Sequence, residues 1–364
     1  MKVNASYKKH ILNFKFRAGT SRGVLEQKET WYLILSDTEN TVLTGVGEAG
    51  PLKGLSPDDV PAFENKLKEV CSFINERKVI EPEILLAEVD LTEFPSVVFA
   101  LETAWFDLKN KGRRILFENP FSSGKDGIKI NGLVWMGEAD FMRQQMEEKI
   151  REGYECIKLK IGALDFDQEC SLLYELRKKF DAQTIMLRVD ANGAFAPGEA
   201  IYKLKELSRF KIHSIEQPIK AGQWDKMAEL SENPPVAIAL DEELIGVTGT
   251  ERKVELLNRI KPQYIILKPT LLGGFKATDE WISLAGRNHI GWWITSALES
   301  NIGLNAIAQY TAHLPIDTYQ GLGTGKLYFN NISSPLVIEK GTLLYDTSMS
   351  WDSIDNLKTG EKMI

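Results

Sequence analysis

Charged side chains recur at a regular interval between residues 160 and 299 of the chain. They stand at or near the ends of successive strand-like runs, about 25 to 31 residues apart: Lys160, Asp190, Glu216, Asp241, Lys268 and Glu299. This interval is that of one strand and one helix, so the groups are expected to meet at one edge of a parallel sheet. Because side chains alternate along a strand, Lys158 shares the inward face of Lys160.

Three of these groups are carboxylates from consecutive strands, with no histidine or cysteine among them: Asp190, Glu216 and Asp241. Oxygen donors of this kind suit a hard cation, so the set predicts a site for Mg²⁺, for which Mn²⁺ could substitute. Lys160 and Lys268 would flank that ion. A desolvated lysine in a cationic setting can act as a base near neutral pH, which indicates proton abstraction next to a carboxylate.

A structural ion-pair network without catalysis is the alternative interpretation of these charges. It is disfavoured because buried charge stabilises a fold poorly compared with apolar packing. In the catalytic interpretation, the cation stabilises the enediolate that forms when the proton leaves.

The composition excludes several classes of function. The 364 residues are 43% hydrophobic and 26% charged, with a net charge of −7, so a nucleic-acid-binding surface is not expected. No run approaches the roughly 18 apolar residues of a membrane span, and the N-terminus lacks the apolar core of a signal peptide. A cytoplasmic location and a small-molecule carboxylate as binding partner are expected, and no oligomeric state is predicted.

The order of the predicted elements indicates two units and a tail. Strand-like runs and two helices, the first opening at Ser56, form an α+β capping domain over residues 1–112. Over residues 113–325, eight strand-like runs alternate with helices, which favours an α/β fold of the (β/α)₈ barrel type over a doubly wound open sheet. Residues 326–364 contain a predicted hairpin and are expected to return to the capping domain. In such a barrel the C-terminal strand ends form the active-site mouth.

The motifs around the charged residues resemble those of the enolase superfamily, in its muconate-lactonizing branch. They read KLK, LRVDANG, IEQP, ALDEE, ILKPTLLGG and TSALESNIGL in the barrel, and GEAGPLKGLS in the capping unit. Within this branch the chain is most similar to the o-succinylbenzoate synthase family of menaquinone biosynthesis, and the likeness covers nearly the whole chain. The resemblance implies a Mg²⁺-dependent lyase that dehydrates 2-succinyl-6-hydroxy-2,4-cyclohexadiene-1-carboxylate (SHCHC).

The resemblance also implies a role for each charged residue. Lys160 would be the base, taking the proton α to the carboxylate and returning it to the hydroxyl that leaves from the same face, a syn elimination. Lys158 would lower the pKa of Lys160 and orient it, and Lys268 would stabilise the enediolate from the opposite side. The implied metal ligands are Asp190, Glu216 and Asp241.

A further group of residues is expected to bind substrate or to support the site. Glu299 is expected to anchor a lysine. Thr20 and Ser21 lie between two strand-like runs, in either a loop that closes over substrate or a plain hairpin connection. GLGTGK fails the spacing of a phosphate-binding loop, so a glycine-rich turn that offers N–H groups to a carboxylate is expected instead. The candidates are Arg188, Asn192, Ser296, Glu299, Gly321, Thr20 and Ser21.

Two other functions stay open at this point. Dipeptide epimerases and N-acylamino acid racemases of the superfamily share the lysines and carboxylates, but the epimerases usually add an aspartate pair on the eighth strand. This chain has Gly321 and Gly323 there, with Asp317 before the strand end. The non-enzyme alternative is an inactive barrel that acts as a binding protein, although the complete lysine and carboxylate set argues against it.

Overall fold

A computed structural model describes residues 2–20, 23–78 and 81–354. The first unit is a three-stranded antiparallel sheet with three helices packed against it. Its elements are β1 (Val3–Thr20), β2 (Gly23–Asp37), β3 (Thr44–Ala49), α1 (Phe63–Arg77), α2 (Pro82–Glu88) and α3 (Pro95–Lys109). β1 and β2 pair antiparallel as far as Thr20 and Gly23.

The first helix begins at Phe63, later than the Ser-Pro-Asp-Asp sequence suggested. The polar side chains of that sequence bond elsewhere in the unit instead of capping the helix. Ser56 Oγ accepts a hydrogen bond from Leu52 N at 2.7 Å, and Asp58 Oδ2 accepts one from Ser96 N at 2.9 Å. The segment is thereby held as a series of turns in front of α1.

The second unit is a curled parallel sheet surrounded by helices. A short strand, β4 (Ile128–Lys129), precedes it. The sheet strands are β5 (Gly132–Val134), β6 (Cys156–Lys160), β7 (Met186–Asp190), β8 (Ser214–Glu216), β9 (Ile238–Leu240), β10 (Tyr264–Leu267) and β11 (Gly291–Ile294), each paired with the next. The helices are α4 (Ala139–Arg151), α5 (Phe166–Lys179), α6 (Pro197–Ser208), α7 (Trp224–Ser231), α8 (Thr250–Ile260), α9 (Pro269–Leu272), α10 (Gly274–Arg287) and α11 (Asn301–Thr311).

This architecture confirms the predicted α/β fold with a separate capping unit, but the barrel is closed only in part. The eighth run contributes two single bridges in place of a strand, one from Gln320 to Ile130 and one from Gly321 to Thr295. Glycine weakens strand pairing because it has no side chain to pack and loses much backbone entropy. The glycine-rich sequence that follows Gln320 therefore joins the two edges of the sheet without a full ladder.

The outward side chains of the barrel strands form the largest core. Ile157, Leu159 and Val189 are at most 1% exposed and belong to one apolar cluster with Leu172 and Leu204 of the surrounding helices. Since side chains alternate along each strand, the residues between these positions face the inside of the barrel. The lysines of β6 are among them.

The tail forms the predicted hairpin, β12 (Leu336–Glu339) and β13 (Thr342–Tyr345). β13 pairs with β4 of the second unit. Further along, Ile354 packs with Tyr32 and Val46 of the capping sheet, and its carbonyl accepts a hydrogen bond from Lys8 Nζ at 2.9 Å. The division of the chain at residues 112 and 325 stays a proposal. None of the described helices is long and apolar enough to cross a membrane.

Candidate active site

The predicted charged groups come together at the C-terminal strand ends. Lys160, Asp190 and Glu216 are the last residues of β6, β7 and β8, while Asp241 and Lys268 directly follow β9 and β10. Lys160 pairs in register with Asp190, which pairs with Glu216. The strand ends are therefore level, so residues far apart in the sequence meet at one mouth.

The lysines and acids form a buried network of ion pairs. Lys158 Nζ lies 2.9 Å from Asp190 Oδ2 and also contacts Glu216, and Lys160 Nζ lies 2.8 Å from the same Asp190 oxygen. On the other side of the barrel, Lys268 pairs with Asp241. Each ammonium group thus has a carboxylate partner, which offsets the cost of removing it from water.

The pKa values within the network follow from this pairing. Burial alone would raise the pKa of Asp190, but Lys158 and Lys160 outweigh burial and hold that pKa far below its usual range. Burial lowers the pKa of Lys268, whereas the opposing attraction of Asp241 and Glu216 is stronger and leaves the pKa raised. These groups are therefore held in their charged forms.

Glu216 behaves differently from the other two acids. Burial and then repulsion by Asp190 raise its pKa well above the usual value, with Asp241 adding to the effect. Its Oε1 atom is buried and has no hydrogen-bond partner among the described residues. Three carboxylates therefore lie close enough to repel one another, and one of them presents an unsatisfied oxygen.

The donor set fits a hard divalent cation. Among the described residues, no group of three His, Cys, Asp or Glu side chains is already arranged to hold a metal ion, and one oxygen of each of the three acids is paired with a lysine. The chemistry of the donors is nevertheless that of a Mg²⁺ site, with carboxylate oxygens only. The unpartnered oxygen of Glu216 is a ligand atom that such an ion would satisfy.

A cavity of about 1130 Å³ opens beside this network. Lys160 and Lys268 both line it, so the two candidate reactive lysines face the same space. Apolar side chains from both units form much of its wall, including Phe16, Leu25, Leu52, Leu133, Trp135 and Leu298. Such a cavity can hold an apolar ring while its charged end binds a carboxylate.

Three predicted supporting residues line the cavity: Asn192, Ser296 and Gly321. Asn192 Oδ1 accepts a hydrogen bond from Lys160 Nζ at 2.8 Å, and its Nδ2 donates to Glu242 Oε1 at 2.9 Å. Asn192 therefore fixes the direction of the Lys160 side chain. Ser296 Oγ is 2.6 Å from Thr324 Oγ1.

Arg188 does not line the cavity, although it shares the inward face of β7 with Asp190. Its guanidinium donates to Tyr319 O at 2.8 Å and to Thr318 Oγ1 at 2.9 Å, and it lies 3.9 Å from the centre of the Trp293 ring. A side chain two residues earlier on the same strand has the same inward direction but lies nearer the opposite end of the barrel. Arg188 pairs in register with Lys158, so it packs in the barrel interior one inward position below Lys160 and Asp190.

Glu299 is fully buried and is also absent from the cavity wall. Its carboxylate accepts hydrogen bonds from Thr270 Oγ1 at 2.5 Å and from Ala297 N at 2.8 Å, so it joins α9 to the segment after β11. Burial raises the pKa of Glu299, and the charge of the buried Lys28 opposes that rise. The side chain of Thr20 and the whole of Ser21 lie outside the described residues.

Other cavity residues were missed by sequence reasoning. Phe16, Leu52 and Leu133 carry no distinctive signal, because an apolar residue on a strand or loop is more often part of the core. Thr324 and Lys326 could have been found from the sequence, because both belong to the glycine-rich turn that was expected at the mouth of the barrel. Both line the cavity. Trp135 is also part of the wall.

Glu48 of β3 holds the capping unit against the barrel. It accepts hydrogen bonds from Ser300 N and Gly303 N, both at 2.8 Å, at the start of α11. A carboxylate is favourable there because the first N–H groups of a helix lack intrahelical partners. This contact fixes the chain that leads into Leu52 and Lys53, which cover the cavity.

Comparison with known proteins gives consistent matches. The family model described as enolase C-terminal domain-like matches residues 141–348. The chain is 47% identical to an o-succinylbenzoate synthase of Desulfotalea psychrophila, over 94% of this chain and 98% of that protein. The crystal structure of MenC from the same organism has a TM-score of 0.83 at 44% identity, covering 94% of this chain and 99% of that one.

A more distant solved structure shares the fold. It is a dipeptide epimerase of Enterococcus faecalis in complex with Mg and the dipeptide L-Leu-L-Tyr. Its TM-score is 0.81 at 20% identity, covering 94% of this chain and 97% of that one.

Proposed function

The chain belongs to the enolase superfamily, in its muconate-lactonizing branch, and from this premise we propose that it is an o-succinylbenzoate synthase of menaquinone biosynthesis. Such an enzyme is a lyase that removes water from SHCHC. The observation that most supports the assignment is the shared cavity of Lys160 and Lys268 beside three carboxylates, in a chain 47% identical to a synthase.

Enzymes of this superfamily use a divalent metal, and we infer that this chain uses Mg²⁺, with Mn²⁺ as a substitute. Asp190, Glu216 and Asp241 would hold the ion through their carboxylates. When bound, the ion supplies positive charge against the anion that develops as the α-proton leaves. The support for this inference is the oxygen-only donor set and the unpartnered Oε1 of Glu216.

In the proposed reaction, Lys160 Nζ removes the proton from the ring carbon that carries the carboxylate. The ammonium of Lys268 opposes the negative charge from the other side of the cavity. Lys160 then returns the proton to the departing hydroxyl, so that one C–H bond and one C–O bond break, water leaves and an aromatic ring forms. Asn192 positions Lys160 through its hydrogen bond to Nζ, and Lys158 contributes positive charge nearby.

An epimerase or racemase is the second candidate function, because two lysines facing one cavity could also exchange an α-proton from either side. The dipeptide epimerases usually carry an aspartate pair that would bind the amine of a dipeptide on the eighth strand, and the turn at Gly321 and Gly323 has no acidic side chain. The synthase is favoured for this reason. A cytoplasmic location forms part of the same proposal.

The assignment is tested with purified protein, SHCHC and Mg²⁺, by following the ultraviolet change as the aromatic product forms. Conversion that stops when the metal is chelated supports the synthase. A protein inert toward SHCHC that exchanges the α-proton of dipeptides or N-succinyl amino acids in deuterated water is an epimerase or racemase. A folded protein inert in both assays would favour the binding-protein alternative.

A further inference from the structure

The proposed substrate carries two carboxylates, and the lysine and acid network accounts for only one. The ring carboxylate belongs beside the reacting carbon, at the end of the cavity lined by Lys160 and Lys268. The second carboxylate ends the succinyl chain and must lie elsewhere along the wall. An anionic group in a largely apolar cavity requires a cation or hydrogen-bond donors, since burying it unpaired is costly.

A hydroxyl pair offers one such donor. Ser296 Oγ and Thr324 Oγ1 are 2.6 Å apart, and the two residues are 4% and 6% exposed. Both line the cavity. In this contact one hydroxyl donates its proton to the other oxygen. The second hydroxyl therefore still has its own proton to donate to a third group. The pair can therefore donate to an anion in the cavity.

The turn that carries Thr324 also supplies a cation. Lys326 is exposed and lines the cavity, and it forms no ion pair with any residue that the structure describes. Within the same described segments, the backbone N–H groups of Gly323 and Thr324 donate no hydrogen bond. Ammonium and unbonded N–H groups on one short turn favour a negatively charged ligand.

The positions of the acidic residues in the cavity wall also favour an anionic ligand beside this turn. Of the residues that line it, only Glu148 and Glu152 are acidic, and they lie on α4 and at its C-terminal end, outside the sheet. Glu152 is already paired with Lys149, at 2.6 Å. No lining acid therefore stands on the turn from Gly321 to Leu327 to repel a second carboxylate or to attract an amine.

We propose that Lys326, together with the Ser296 and Thr324 hydroxyls, binds the succinyl carboxylate and makes the site specific for a dianionic substrate. This inference rests on the proposed synthase function and adds a specificity residue to it. The cation would act on binding of the distal group and leave the proton transfer at Lys160 to proceed as before.

The test compares the binding of two ligands by calorimetry in the presence of Mg²⁺. One is o-succinylbenzoate and the other is 2-butyrylbenzoate, which has a methyl group in place of the distal carboxylate. The wild-type protein is expected to prefer o-succinylbenzoate by about tenfold or more, as a charge-assisted contact at a partly exposed site would give. Lys326→Met should lose most of this preference, and Lys326→Arg should keep it.

Lys53→Met is the matched control, since Lys53 also lines the cavity and forms no ion pair with a described residue. It should keep the wild-type preference. An unchanged preference in Lys326→Met would overturn the inference, and so would a loss in Lys53→Met equal to that expected for Lys326→Met. A failure of this inference can be told apart from a failure of the proposed synthase function, because turnover of SHCHC by the wild-type protein is measured separately.

Discussion

Lys160 and Asp190 are in-register neighbours at the ends of adjacent parallel strands, with Lys160 Nζ 2.8 Å from Asp190 Oδ2. The candidate base and a candidate metal ligand thus touch directly. The contact links the two parts of the proposed chemistry, because Asp190 lies between the lysines of β6 and the other two acids.

Glu216→Gln is expected to weaken divalent metal binding. The substitution keeps the shape of the side chain but replaces a carboxylate by a neutral amide, which is a poorer ligand for a hard cation. We expect the affinity for Mn²⁺, measured by electron paramagnetic resonance titration, to fall by about tenfold or more. Asp225→Asn removes an exposed carboxylate from α7 and is the control. Equal Mn²⁺ affinity in Glu216→Gln and the wild type would exclude Glu216 as a ligand.

Gly47→Ala is expected to destabilise the capping unit. A Cβ atom at Gly47 of β3 would collide with the carbonyl of Ala100 in α3, so sheet and helix would have to separate. Overpacking of this kind costs about 1–3 kcal/mol of the free energy of unfolding. Urea denaturation measures the loss.

Gly286→Ala is the matched control for this substitution. Gly286 lies in α10 with open space around it, and alanine has the higher helix propensity, so the control should be neutral or stabilised by up to about 1 kcal/mol. A Gly47→Ala protein as stable as its control would show that the two layers are not tightly packed.

His213 is expected to reduce stability in acid. Burial, and to a lesser extent the charge of Arg188, lower its pKa from 6.5 to about 4, and its ring packs 4.9 Å from that of Tyr264. The unfolded chain therefore takes up the proton first. The stability that a neutral His213 contributes is complete above pH 6.5 and is lost as the pH falls from 6.5 toward 4.

Thermal unfolding of the wild type and of His213→Asn between pH 7.5 and 4 measures this effect. The difference in stability between the two proteins should shrink as the pH falls. His289→Asn, an exposed histidine on the same unit, should follow the wild type. Parallel curves for His213→Asn and the wild type would contradict the prediction.

Sequence reasoning could predict the meeting of the charged groups because the barrel repeats. One strand and one helix per unit bring residues such as Lys160 and Lys268 to the same edge, and strand alternation turns Lys158 inward. The same argument did not predict that Arg188 stays out of the cavity wall. Its side chain shares the inward face of Asp190 but stands two residues earlier on the strand, at a different depth in the barrel. The roles of these residues in the reaction stay predictions.

The remaining differences arise where tertiary contacts overrule local pattern. Ser56 and Asp58 read as a helix start but bond to Leu52 and Ser96 instead. The eighth run read as a strand, yet its glycines allow only two bridges. Phe16 could not be recognised as a cavity residue, since its place in the wall depends on how the capping unit sits over the barrel.

The most direct measurement is the turnover of SHCHC by Lys160→Ala in saturating Mg²⁺, with far-ultraviolet circular dichroism to check folding. Asp190 keeps Lys158 as a partner in this variant, so the fold should be largely retained. We expect turnover to fall by about a thousandfold or more, because the elimination then lacks its base. A folded Lys160→Ala protein that converts SHCHC at the wild-type rate would contradict the account.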